Sequence, residues 1–148
     1  MQTQQPFVIE RSYNASPAEA WKAITDKDQM KKWYFDVSEF KPEVGFEFTF
    51  NGGKDDKVYV HLCKVTEAIP YKKLKHSWAY KGYDGISFVT WELFEEGNGT
   101  SVRLTHEGLE TFPQNNPDFA KENFEEGWTY ILGTSLKKFL ETSNVTAS

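Results

Sequence analysis

Arg11, His76 and His106 are polar side chains that alternate in phase with large apolar residues of their own strand-like segments. A buried guanidinium must find an anion or several acceptors. Arg11 is therefore a candidate anchor for a ligand carboxylate or phosphate, or else one half of a structural ion pair with a residue such as Glu92. An inward imidazole can act as an acid or base in a cavity, or it can be a core histidine whose ring nitrogens are satisfied. The sequence leaves both interpretations open.

Metal and nucleophile chemistry find less support in the sequence. His61 and Cys63 lie two residues apart on one strand-like face, but no further histidine or cysteine follows at the spacing of a zinc site. His106-Glu107 lacks the second histidine of a zinc-protease helix, and no phosphate loop, dinucleotide fingerprint or serine-nucleophile motif occurs. The sequence therefore assigns no metal, no cofactor and no catalytic residue, and predicts that the single cysteine is a buried, inert thiol.

Aromatic side chains are the most unusual feature of the composition. They make up 16% of the chain, with Phe 12, Tyr 7 and Trp 5, and each ring brings a large area that must be packed or used. Strand parity and helix phase predict an inward set consisting of Trp33, Phe46, Phe48, Trp78, Trp91, Leu93, Leu104, Trp128 and Leu132. Each of these side chains can also be an ordinary residue of the hydrophobic core. Together they favour a cavity, because large rings that meet across a sheet and a helix rarely fill space completely.

The elements that would position these side chains begin with an alternating strand over Phe7–Tyr13. Ser16-Pro17-Ala18-Glu19 then forms a capping box, which predicts a helix to about Thr25. A second short helix is predicted over Asp26–Lys32, with Asp26 placed to cap it. Two short helices therefore follow the first strand.

A meander of five strands is predicted next. Val44–Phe50 alternates strictly, and Asn51-Gly52-Gly53 is expected to turn it back toward Val58–Thr66. Gly-rich turn sequences separate the remaining strands, which are predicted over Leu74–Tyr80, Ile86–Phe94 and Thr100–Gly108. With the first strand this gives an antiparallel sheet of about six strands.

The last predicted element is a long helix from about Asn116 to Glu141. Its apolar stripe consists of Phe124, Trp128, Ile131, Leu132, Ser135, Leu136 and Phe139. One face of a curved sheet needs cover, and this helix is the only element long enough to supply it. The sequence therefore predicts an α+β, helix-grip fold in one domain over residues 1–148, with a frayed tail at 142–148.

Composition also bounds the partners. A formal net charge of -5 argues against a surface that tracks nucleic-acid phosphates. No window approaches the roughly 20 apolar residues of a membrane span, and the N-terminal residues lack the basic start and apolar stretch of a signal peptide. We therefore expect a cytoplasmic protein that binds no nucleic acid and does not span a membrane.

Local strings along nearly the whole chain fit one family pattern: Ile9-Glu10-Arg11, Asn14 to Trp21, Thr25 to Trp33, Val65 to Leu74 with Trp78, Thr90 to Leu93, Thr105 to Leu109, and Gly127-Trp128 with Leu132 and Leu136. This set resembles the activators of heat-shock-protein-90 ATPase within the superfamily of START and birch-pollen-allergen-like proteins. The resemblance implies a helix-grip fold with a cavity between the sheet and the long helix. It extends only to the C-terminal half of the eukaryotic cochaperone, and nothing in the chain resembles that cochaperone's separate chaperone-binding domain.

Three classes of function follow from these observations. The leading hypothesis is a non-catalytic protein that holds a small apolar or amphipathic molecule. Its ten predicted ligand-binding residues are Arg11, Trp33, Phe46, Phe48, His76, Trp78, Trp91, His106, Trp128 and Leu132. The alternative is a lyase, cyclase or hydrolase that uses Arg11, His76 or His106 in the cavity. A chaperone-interaction module rests on the resemblance alone. A homodimer is compatible with each.

Overall fold

The computed structural model describes residues 6–34, 37–54, 57–97, 99–113, 119 and 121–141. Six strands form one antiparallel sheet, in the spatial order β1-β6-β5-β4-β3-β2. Their bounds are β1 Phe7–Tyr13, β2 Glu47–Lys54, β3 Lys57–Ile69, β4 Lys73–Tyr80, β5 Ser87–Glu96 and β6 Gly99–Glu107. The chain thus runs as a meander from β2 to β6, as the sequence predicts, and β1 pairs with the free side of β6.

Register places one face of the sheet inward. Ile9 lies opposite Leu104, which in turn lies opposite Trp91, and all three side chains are buried. The pairing of β3 with β4 shifts between Val65 and Glu67, and such a bulge bends a strand and increases its twist. The sheet is therefore curved, with its concave face lined by apolar side chains.

Two short helices connect β1 to β2. Helix α1, Pro17–Thr25, begins with the predicted capping box: Glu19 N–H donates to Ser16 Oγ at 3.1 Å, and Ser16 N–H donates to Glu19 Oε1 at 2.9 Å. Helix α2, Lys27–Trp33, is capped by Asp26, whose carboxylate accepts from Asp28 N–H at 3.0 Å. The caps fix where both helices begin, and they agree with the sequence prediction.

The C-terminal helix covers the concave face. It is α-helical over α3, Lys121–Tyr130, π-helical over Ile131–Leu136, and α-helical again over 137–141. Its buried side chains recur every four residues: Phe124, Trp128, Leu132, Leu136 and Leu140. In a pure α-helix, positions four apart drift by about 40° around the axis. The wider π-helical turn offsets this drift, so the buried stripe stays over the sheet.

The packing leaves that stripe narrower than predicted. Ile131, Ser135 and Phe139 are only half-buried, whereas Leu140 is fully part of the core. The π-helical segment is held from two sides, because Tyr13 Oη–H donates to the Leu132 carbonyl at 2.6 Å and the Ser135 hydroxyl donates to the Trp33 carbonyl. Among the described residues, no helix is long and apolar enough to cross a membrane.

One turn prediction is wrong. Asn51-Gly52-Gly53 continues β2, with Gly52 opposite Tyr59, so the connection to β3 falls between Lys54 and Lys57. Glycines in an alternating segment can remain in the ladder when the partner strand supplies the pairing, as β3 does here. The predicted start of the last helix at 116–118 and the predicted tail at 142–148 lie outside the described residues.

Candidate functional site

Of the ten side chains predicted to bind a ligand, eight are buried: Trp33, Phe48, His76, Trp78, Trp91, His106, Trp128 and Leu132. Phe46 is half-buried and packs edge-on against Phe40 with ring centroids 6.3 Å apart. Arg11 is exposed. The strand parity and helix phase therefore place most of the inward set, and they fail for Arg11.

The exposure of Arg11 corrects the expectation of a buried guanidinium. β1 is an edge strand, and Gly133 of the C-terminal helix lies beside the Arg11 side chain, where a Cβ would be in ordinary van der Waals contact with Arg11 Nε at 3.7 Å. The side chain passes over this glycine to solvent and donates to the Glu10 carbonyl at 2.8 Å. Glu92 aligns through Arg103 with Glu10 on the outer face of the sheet, so the anticipated Arg11–Glu92 pair does not form.

A pocket lies between α2 and the strands β2, β4 and β5. Four of the predicted residues line it, together with five others; the full lining is Ile24, Met30, Trp33, Tyr34, Phe40, Phe48, Leu74, His76 and Trp91. The space left free at its centre is about 10 Å³, which is about enough for one water molecule. Side chains of the protein therefore fill most of the space between α2 and the sheet in this conformation.

His76 contributes the imidazole of the pocket. Its Nδ1 lies 3.0 Å from the Ser77 carbonyl, which can only accept, so Nδ1 carries the proton. Nε2 is then an acceptor, and it receives the Trp91 Nε1–H at 3.3 Å. Burial lowers the pKa of His76 to about 4. The ring is therefore neutral at physiological pH, with a fixed tautomer.

His106 lies deeper and has the opposite tautomer. Trp128 Nε1–H donates to His106 Nδ1 at 3.0 Å, so Nε2 carries the proton and donates to Ser87 Oγ at 2.8 Å. The Ser87 hydroxyl in turn donates to the Trp78 carbonyl at 3.0 Å. Burial, with a smaller contribution from His76, lowers the pKa of His106 to about 3. His106 is a satisfied core histidine, and a serine that donates to a backbone carbonyl is not poised as a nucleophile.

His61 and Cys63 lie two residues apart on β3, and both side chains are buried, as predicted for the cysteine. The His61 ring stacks on Phe50 with centroids 4.4 Å apart, and burial lowers its pKa to about 4. Burial also raises the pKa of the Cys63 thiol well above its usual range, so the thiol is protonated. Within the described ranges, no group of three or more His, Cys, Asp or Glu residues is arranged to hold a metal ion.

An aromatic network joins the pocket to the helix. Tyr34 stacks on Trp128 with centroids 6.2 Å apart and meets Trp91 edge-on at 6.1 Å, while Trp33 meets Trp91 edge-on at 6.1 Å. Trp33 Nε1–H donates to the Ala23 carbonyl at 2.9 Å, which fixes α2 against α1. Burial raises the pKa of Tyr34 well above its usual range, so this phenol stays neutral. The pocket wall is thus uncharged and largely aromatic.

Sequence reasoning missed five lining residues: Ile24, Met30, Tyr34, Phe40 and Leu74. Ile24 and Met30 are buried on two different helices, and helical spacing within each helix does not show that the two side chains meet at one pocket. Tyr34 follows Met30 by four residues, a spacing that places both on one side of α2 and its cap. Phe40 lies in an irregular connection, where periodicity gives no signal.

The meander sheet wrapped around a long C-terminal helix defines a helix-grip fold of the START-like type. The family model "Activator of Hsp90 ATPase homolog 1-like protein" matches residues 14–141, and the chain belongs to this family. Among curated proteins, no sequence is similar enough to this chain to count as a match.

Solved structures extend the comparison. Protein MLL2253 from Mesorhizobium loti is 26% identical with a TM-score of 0.76, and the alignment covers 92% of this chain and 96% of that one. The Aha1 dimer from Colwellia psychrerythraea is 25% identical with a TM-score of 0.68, covering 93% and 97%. DynU16, a putative protein in the dynemicin biosynthetic locus, is 20% identical with a TM-score of 0.77, covering 95% of this chain and 48% of its own.

Proposed function

We propose that this protein binds a small, neutral, ring-containing molecule in the pocket between α2 and the sheet. The observation that carries the proposal is the lining itself: apolar or aromatic side chains surround one neutral imidazole whose two ring nitrogens bond within the protein. Concave sites of this composition are typical of small-molecule binding. Catalysis by His76 or His106 finds no support in this geometry, because their lowered pKa values and engaged nitrogens disfavour proton transfer near neutral pH.

Charge restricts the ligand. No Lys, Arg, Asp or Glu side chain lines the pocket, and Arg11 lies on edge strand β1, away from the lining strands β2, β4 and β5. A charged group placed among these rings would lose its hydration without gaining a partner. We therefore favour a neutral apolar ligand over an anionic one anchored by Arg11.

Binding requires side chains of the lining to move. A dry cavity that accepts benzene has a volume of about 150 Å³, far more than the free space in this pocket. Met30 is the adaptable part of the wall, because its unbranched side chain has three rotatable bonds. Ligand entry is therefore expected to displace Met30 and the neighbouring ring of Phe40.

The comparison with DynU16 gives fold-level support only. That protein is described as belonging to a biosynthetic locus, which is a setting where small molecules are made. A shared fold does not transfer a function, so the argument for binding rests on the pocket.

A neutral fluorescent dye, N-phenyl-1-naphthylamine, tests the proposal. Titration into the wild-type protein should increase dye emission and quench tryptophan emission, because Trp33 and Trp91 line the pocket. Met30→Leu conserves volume but stiffens the wall, so it should weaken dye binding several-fold while costing less than about 1.5 kcal/mol of stability.

Phe40→Ala should strengthen dye binding by opening the pocket, at a cost of about 3–5 kcal/mol in folding free energy. Val44→Ala is the matched control, because Val44 is 70% exposed and should leave dye binding unchanged. If neither the wild type nor Phe40→Ala binds the dye, the proposed pocket function is wrong.

A homodimer is a second proposal, favoured by the dimeric Aha1 relative from Colwellia psychrerythraea. Light scattering across a dilution series measures the assembly directly, and a constant monomer mass would exclude it. An interaction with a chaperone is supported by the family description alone, and co-purification with the host chaperone tests it.

A further inference from the structure

We propose that the pocket selects phenols, and that the Trp91–His76 pair recognises the phenolic hydroxyl. This inference rests on the proposed function and specifies its ligand class. The two residues offer one donor and one acceptor that face each other, Trp91 Nε1–H and His76 Nε2. Both side chains line the pocket.

The bond between these two residues is the weakest indole bond in the neighbourhood. Its length of 3.3 Å exceeds the 3.0 Å of Trp128 to His106 and the 2.9 Å of Trp33 to the Ala23 carbonyl. Bonds of this kind normally fall between about 2.7 and 3.2 Å. The Trp91–His76 contact is therefore the one that a ligand can replace at least cost.

A hydroxyl fits this pair better than other neutral groups do. It can accept from Trp91 Nε1–H and donate to His76 Nε2, so one long bond becomes two ordinary ones. A carbonyl could accept from Trp91 but would leave the His76 nitrogen without a donor, which is costly inside a protein. His76 cannot adapt by changing its tautomer, because the Ser77 carbonyl at 3.0 Å holds the proton on Nδ1.

The surroundings of the pair select an aromatic carrier for the hydroxyl. Trp33, Tyr34 and Phe48 surround the same pocket and provide ring faces and edges for offset or edge-on packing. The free space of about 10 Å³ accommodates a single oxygen atom, whereas a ring must displace side chains. A phenol can pack its ring against these aromatic side chains and place its oxygen atom in the free space.

Two isosteric probes test the inference on the full chain. p-Cresol and p-xylene differ only by a hydroxyl in place of a methyl group, and NMR titration of the tryptophan indole N–H signals measures both affinities. We expect p-cresol to bind roughly tenfold more tightly, which corresponds to about one net hydrogen bond. The Trp91 indole signal, assigned from Trp91→Phe, should move most with p-cresol.

Matched variants separate recognition from packing. Trp91→Phe keeps most of the ring and removes the donor, so it should reduce the preference for p-cresol to less than about threefold. Trp128→Phe makes the same change at the bond to His106 Nδ1, outside the pocket lining, and should keep the tenfold preference. If Trp91→Phe does not fold, the wild-type Nε2 resonance of His76 supplies the readout, because only a hydroxyl donor should shift it strongly.

The outcomes distinguish the two proposals. Equal binding of both probes, or an unmoved Trp91 signal during p-cresol binding, would overturn hydroxyl recognition and leave apolar binding intact. Failure of both probes to bind, together with failure of the neutral dye, would overturn the pocket function as well.

Discussion

Acid should unfold this protein at unusually mild pH, because all three of its histidines are buried. The pKa values of His61 and His76 are lowered to about 4 and that of His106 to about 3, in each case mainly by burial. An unfolded histidine titrates near 6.5. Above that pH neither state is protonated, so stability is complete. Below about pH 6.5 the histidines become protonated in the unfolded chain but stay neutral in the folded one. The free energy of unfolding therefore falls with pH until the lowered pKa of the folded state is reached.

The size of the effect follows from these values. At pH 5 each histidine is largely protonated in the unfolded chain and neutral in the fold, which removes about 2 kcal/mol of folding free energy. Three histidines together remove about 6 kcal/mol, comparable with the whole stability of a small domain, roughly 5–15 kcal/mol. The steepest slope is about 4 kcal/mol per pH unit, or three protons.

Urea unfolding followed by tryptophan fluorescence at several pH values between about 7.5 and 5 measures this dependence. His61→Phe supplies the control, because a phenyl ring can take the stacked position over Phe50, whose centroid lies 4.4 Å from that of His61. This variant should lower the slope by about a third while keeping the fold. A stability that is flat from pH 7.5 to 5, or a slope below about one proton, would refute the burial argument.

Other substitutions have smaller expected effects, each measured by urea unfolding. Ser16→Ala removes the capping bond to Glu19 N–H and should cost about 1 kcal/mol, so an unchanged midpoint would contradict the capping box. Tyr13→Phe leaves the Leu132 carbonyl in the π-helical segment without its donor and should cost about 1–2 kcal/mol; a neutral result would mean that solvent satisfies this carbonyl. Arg11→Met should change stability by less than about 0.5 kcal/mol, because the guanidinium is exposed. A loss of several kcal/mol would instead indicate that Arg11 forms a buried ion pair.

Local signals in the sequence were sufficient to predict most of the fold. The capping box at Ser16 and the alternation in Phe7–Tyr13 depend on residues within a few positions of each other, and both predictions are confirmed. The meander also follows, since consecutive strands with short turns pair with their neighbours. The turn at Asn51-Gly52-Gly53 was misplaced because a ladder partner, Tyr59 opposite Gly52, decides whether a glycine turns or pairs.

The pocket depends on contacts that local patterns do not contain. Strand parity placed His76 and Trp91 inward, but their mutual bond requires the register of β4 against β5, where His76 lies opposite Val89. Arg11 shows where parity is insufficient: it alternates in phase with the buried Ile9 and Tyr13, yet its own side chain is exposed on the edge strand β1, beside Gly133 of the C-terminal helix. Side chains on edge strands therefore need knowledge of the covering element before their burial can be predicted.

Two tryptophan–histidine bonds of the same chemistry occupy different places in this fold, and the difference decides what each can do. His106 Nδ1 accepts from Trp128 Nε1–H at 3.0 Å and His106 Nε2–H donates to Ser87 Oγ at 2.8 Å, so both ring nitrogens of His106 have short hydrogen bonds. Breaking these hydrogen bonds would leave buried donors and acceptors without partners. The Trp128–His106–Ser87 series is therefore part of the structural core. His76 receives Trp91 at 3.3 Å at the wall of a pocket, where an incoming hydroxyl can satisfy both groups as they separate. Ligand recognition is therefore expected at His76, and stability alone at His106.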